Sequence, residues 1–171
     1  MQNDDSYKLL RECSAGLKTA IASIEELSPY VKDAKLGEIL KNSRTEHRKL
    51  ADTVDGMLAA TDSESKEPNP MTKSMSWLKI NAEMSFNPTA AQAASLMTDG
   101  CDMGIKSIHK YINKYPTASE EAKGMARSIG ELEERLGKDM RPFLSSLTKF
   151  ASCDRIFTTF VYWAPVAGKE R

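Results

Sequence analysis

Residues Cys13 to Ile24, CSAGLKTAIASI, return in altered form as Cys101 to Ile112, CDMGIKSIHKYI, at an offset of 88 residues. Cys, Gly, Lys and the final Ile are identical in the two copies, and Leu17 matches Ile105. The repeat constrains the fold because each copy opens a stretch with helical apolar spacing, and a helix with one apolar face cannot bury that face alone. Each copy needs a partner helix, and the two pairs need each other. The expectation is an all-α protein built from a duplicated helical hairpin.

The chain between the copies supports this. From Ser6 to about Leu27, Leu10, Cys13, Leu17, Ile24 and Leu27 fall three, four or seven apart, the spacing of one helix face, with capping oxygens on Asp4, Asp5 and Ser6. Pro29 ends this helix. Asp33 is placed to cap a second helix whose stripe runs Leu36, Leu40, Ser43, His47, Leu50 and Val54, which puts His47 inward. The polar segment TDSESKEPNP is the linker between hairpins. A short helix within 71–86, carrying Met71, Met75, Trp77 and Leu78, is expected along the bundle.

Asn87 and Pro88 form a start signal for a third helix, with Ala94, Met97, Cys101, Ile105, Ile108 and Ile112 inward. Pro116 stops it. Thr117 to Glu120 has capping-box form for a fourth helix, whose stripe is Met125, Ile129, Leu132, Leu136 and Met140 or Phe143, with Pro142 expected to kink or end it. Residues 1–150 thus read as a single four-helix-bundle domain. Residues 151–171 are a C-terminal aromatic tail that packs on the bundle or on a partner subunit, with Phe157, Phe160 and Trp163 as the candidate contact of a homodimer.

Charge narrows the function classes. Twenty-four basic and twenty-four acidic residues cancel, so no strong phosphate attraction points to nucleic acid. No segment approaches the roughly 20 apolar residues of a membrane span. The acidic, polar start MQNDDSYK lacks the apolar core of a signal peptide, and Cys13, Cys101 and Cys153 lie too far apart for zinc spacing or a disulfide framework. A cytoplasmic protein is expected. Cys13 and Cys101 occupy equivalent places and read as small buried thiols rather than a redox pair.

Trp77-Leu78-Lys79, Cys101-x-x-Gly104 and Tyr111, within a similarity running from about Leu9 to Phe143, resemble a bacterial family of uncharacterised ferritin-like bundle proteins. The resemblance implies two hairpins joined by a long crossover. It also implies a di-metal centre in which the first and third helices each give a Glu and the other two each give Glu-x-x-His. In such relatives a Glu follows the Cys-x-x-Gly glycine; here Ile105 stands there, and the repeat puts Leu17 at the matching place.

Aligning the stripes of helices two and four pairs Arg44 with Glu133 and His47 with Leu136. Each Glu-x-x-His is then half lost. Leu17, Arg44, Ile105 and Leu136 are replaced ligand positions, and His47 and Glu133 alone remain as weak metal candidates. Burying unneutralised carboxylates costs several kcal/mol each, whereas a buried Leu contributes about 1.5–3 kcal/mol, so aliphatic refilling is what loss of metal would favour.

The expectation is a bundle that is not an enzyme, takes no cofactor and acts through surface or subunit contacts. Its rival is a ferritin-like metal-binding protein or di-metal oxidase with a non-standard ligand set, which needs Glu25, Glu46, Asp99, Asp102 or Glu131 to enter the core. A histidine phosphotransfer bundle using His47 or His109 is a third class, disfavoured because His47 lies inward.

Overall fold

In the computed structural model, residues 4–60, 80, 84–85 and 88–144 are described. Their long elements are α1 (Asp4–Leu27), α2 (Ala34–Ala59), α3 (Ala90–Lys114) and α4 (Glu120–Met140). Short 3-10 turns follow α1 at Ser28–Tyr30 and α4 at Arg141–Phe143, each with its proline in the first turn, where the missing N–H costs nothing. No strand occurs among the described residues, and none of their helices is long and apolar enough to cross a membrane.

The helix starts are set by side-chain oxygens, though not always the expected ones. Asp33 caps α2 by accepting from Leu36 N–H at 2.9 Å. Thr89 caps α3, two residues later than the Asn-Pro signal, accepting from Gln92 N–H at 3.1 Å. Ser119 rather than Thr117 caps α4, accepting from Ala122 N–H at 3.2 Å. Asp5 and Ser6 lie inside the first turn of α1 and serve a different end: Thr117 donates to Asp5 from both its N–H (3.1 Å) and Oγ1 (2.6 Å), and Ser119 N–H donates to Ser6 Oγ at 2.7 Å.

Those bonds fix the topology. The α3–α4 turn sits at the end of the bundle where α1 begins, so α1 and α4 run one way and α2 and α3 the other. The end of α2 and the start of α3 therefore lie at opposite ends of the bundle, about 37 Å apart for a 25-residue helix. The expected short helix within 71–86 falls mostly outside the described residues; Ile80 and Met84 are buried against the core. The tail residues Phe157, Phe160 and Trp163 also lie outside them.

The core is in two parts. Near the start of α1, Leu9, Leu10, Cys13 and Leu17 pack with Val54, Leu58, Ile108, Ala122, Ala126 and Ile129. At the other end Ile24, Leu27, Leu36 and Leu40 pack with Ala94, Met97, Cys101, Leu136 and Met140. Between the two clusters α2 presents Ser43 and His47, and α4 presents Glu133, all buried. A polar layer therefore divides the core near the middle of α2.

Candidate functional site

Every buried polar group must find a partner or lose the free energy of its hydration. In the central layer His47 is fully buried and Glu133 is 7% exposed. His47 sits one turn after Ser43, and its Nδ1 lies 2.8 Å from the Ser43 carbonyl oxygen and 3.2 Å from Ser43 Oγ. A carbonyl only accepts, so Nδ1 carries a proton and donates it there. The opposite ring nitrogen, Nε2, faces Glu133 Oε1 at 3.3 Å. Two lone pairs do not face each other at that distance without a hydrogen between them. One further proton lies between Nε2 and Oε1, and the pair is satisfied from within the chain.

Glu133 fits because α3 gives way. A Cβ added at Gly104 would stand 3.2 Å from Glu133 Cδ and 3.3 Å from Cγ and Oε1, so the carboxyl fills the space a side chain would take. Cys101, one turn earlier on α3, also meets this carboxylate. Burial first, then the charge of Glu133 and a hydrogen bond to it, push the Cys101 thiol far above its usual range, leaving a neutral S–H beside the acid.

This packing corrects the phase assigned to α3. Ile105 was expected inward; it is half-buried and lines an open groove between α3 and α4 with Asp102, Glu131 and Glu134. Successive helical residues are turned by about 100°, so pointing Gly104 at α4 swings Ile105 away. Ile112 is likewise half-buried. Leu17 and Leu136 are buried at 0% and 3% exposure. Arg44 is a third exposed and lies 4.0 Å from Glu25, which also pairs with Arg48.

The acids that a metal-binding reading would recruit face away from the centre. Glu25 is tied to Arg48, Glu46 accepts from Arg135 Nη2 at 2.6 Å, and Asp99, Asp102 and Glu131 are exposed. His109 is exposed on α3. Among the described residues, no three His, Cys, Asp or Glu side chains are grouped so that they could hold a metal ion. The donor set among the described residues does not fit a di-metal centre: one imidazole and one carboxylate are turned on each other.

Cys13 and Cys101 are both buried and free, in different core clusters. Sequence reasoning placed His47 on the inward stripe of α2 but left Glu133 off that of α4, and matched the two with Leu136 and Arg44 as equivalents; the contact between them was not read. Ser43 was a visible signal, four residues before His47 on the same face. Gly104 was not, because its repeat partner Gly16 would meet nothing within 4 Å if it carried a Cβ.

Fold and centre together define an all-α bundle with a histidine–glutamate pair buried across its two hairpins. No family model, curated protein or solved structure matches the chain.

Proposed function

We propose that this protein is a non-catalytic ferritin-like helical bundle that acts through its surface or through contacts between subunits. The observation that carries the reading is the closed centre: His47 gives one nitrogen to the Ser43 carbonyl and the other to Glu133, leaving neither ring nitrogen free to face a bound ion or substrate. The end of α2 and the start of α3 at opposite ends of the bundle support the ferritin-like part of the reading. Leu17 and Leu136 in the core support the loss of the di-metal chemistry. Glu25 and Glu46 are paired with Arg48 and Arg135 at the surface, and Asp99, Asp102 and Glu131 are exposed, so none of these acids stands near the middle as a substitute ligand.

Elemental analysis of the full chain, expressed in iron-, manganese- and zinc-supplemented medium, tests this directly. Metal well below one equivalent per chain, unchanged by His47→Ala, is expected. One or two equivalents that disappear with His47→Ala would replace the proposal with a metal-dependent function.

A further inference from the structure

Aligning the apolar stripes of α2 and α4 takes an offset of 89 residues, one more than the repeat in α1 and α3, and that alignment gives the centre of the bundle an approximate two-fold relation. At an offset of 89 residues Glu46 of α2 matches Arg135 of α4, and these two are joined by the ion pair at 2.6 Å. An antiparallel helix pair in which equivalent residues touch has its pseudo-two-fold axis at that contact. The next contact inward, His47 with Glu133 at 3.3 Å, maps through that axis onto positions 44 and 136, where Arg44 and Leu136 stand and Arg44 turns to Glu25 instead.

At such an axis the residues also decide which hairpin pairs with which. As folded, the outer contact is acid on base and the inner contact is a satisfied imidazole–carboxyl pair. If hairpin one met hairpin one of a second copy, Glu46 would face Glu46 and His47 would be set against Arg44. If hairpin two met its own kind, Arg135 would face Arg135, and Glu133 would be buried against Leu136 with no partner. Like charges and an unpaired buried acid disfavour both alternatives.

We propose that the split polar centre is a pairing code: it directs hairpin one onto hairpin two and excludes assembly of either hairpin with its own kind. The need for it follows from the repeat, because a chain carrying two similar hairpins can link end to end with other copies through homotypic contacts. The inference does not rest on the role proposed for the bundle as a whole.

The test is refolding of the full chain from urea at increasing protein concentration, with mass read by size-exclusion chromatography and light scattering. Wild type and the charge-inverted Glu46→Arg/Arg135→Glu chain should return the same distribution, since inversion keeps opposites on the axis. The apolar and neutral chain His47→Leu/Glu133→Met/Glu46→Gln/Arg135→Gln should return helical protein with several-fold more high-mass species, increasing with concentration. The exposed pair alone, Glu46→Gln/Arg135→Gln, should shift the distribution the same way by less, and it decides the matter if the fourfold chain does not fold. The proposal is overturned if neither neutralised chain raises the high-mass fraction, or if inversion raises it as much as neutralisation.

Discussion

Gly104→Ala measures how firmly Glu133 is held. In an open helix interior, replacing Gly with Ala gains about 0.8–1.0 kcal/mol. At Gly104 the new methyl would lie 3.2–3.3 Å from three atoms of Glu133, so the carboxyl must draw back by a few tenths of an ångström. One of the crowded atoms, Oε1, is the one bonded to His47 Nε2 at 3.3 Å, so its displacement disturbs that bond, and a hydrogen bond to a charged group contributes about 1.5–3 kcal/mol. Losing most of that bond outweighs the helical gain. Gly104→Ala should destabilise by about 1 kcal/mol, from the difference between the bond and the propensity gain.

Gly100, one turn earlier on α3, is the control, because a Cβ there meets nothing within 4 Å. Gly100→Ala should stabilise by about 1 kcal/mol. Urea unfolding followed by far-ultraviolet circular dichroism gives both values, and two chemically identical changes on one helix should have opposite signs. In a Glu133→Ala background Gly104→Ala should recover the stabilising sign, since the obstructing carboxyl is gone. If Gly104→Ala stabilised the unmodified chain as much as Gly100→Ala, Glu133 would be free to move and the closed centre would be refuted.

Three further outcomes follow from the same geometry. Glu133→Ala should cost about 3–5 kcal/mol in urea unfolding by stranding His47, whereas His47→Leu/Glu133→Met should lie within about 1 kcal/mol of wild type or above it, because a buried pair is costly to break and cheap to replace whole; equal losses in both would mean the polar layer is not a pair. The Asp5 carboxyl titrates below the ordinary aspartate range because of the Thr117 hydrogen bond. Its stabilisation is therefore complete above the unfolded value of about 3.9 and fades as pH falls through the lower folded value. The difference in urea midpoint between wild type and Asp5→Asn should be flat at neutral pH and shrink in acid, and a difference that grew in acid would contradict the sign. Burial, and secondarily Glu12, push the Cys13 thiol up to about 12, and burial with Glu133 pushes Cys101 up further. In a Cys153→Ser chain both should react with a disulfide reagent only as fast as the protein opens, so rapid labelling under native conditions would show one of them accessible.

The fold was legible where a single physical signal dominates. Apolar phase placed α1, α2 and α4 and the inward position of His47, and prolines and Asp33 marked the ends, because spacing and donor loss act locally. Caps were less legible: Thr89 and Ser119 displaced the more obvious Asn87 and Thr117, the latter because Asp5 of α1 claims it from across the bundle. The rotation of α3 was not legible. Ile105 is the better core residue by hydrophobicity, yet Gly104 faces α4 because a carboxyl from another helix needs the room, a reason that lies 29 residues away in sequence. His47 and Glu133 were singled out by aligning the stripes of α2 and α4, but their closure on each other depends on the antiparallel register of those helices, which no local pattern reports.

The most direct measurement of the central claim is thermal unfolding of the metal-free full chain with and without Fe(II), Mn(II) or Zn(II). A cation held by the folded centre at a hundredfold excess over its Kd adds about 2.7 kcal/mol, which raises Tm by several degrees in a chain of this size. A closed His47–Glu133 pair predicts no such rise, and the same Tm response for wild type and Glu133→Gln. A metal-dependent increase of several degrees that Glu133→Gln abolishes would show that the pair opens to take an ion.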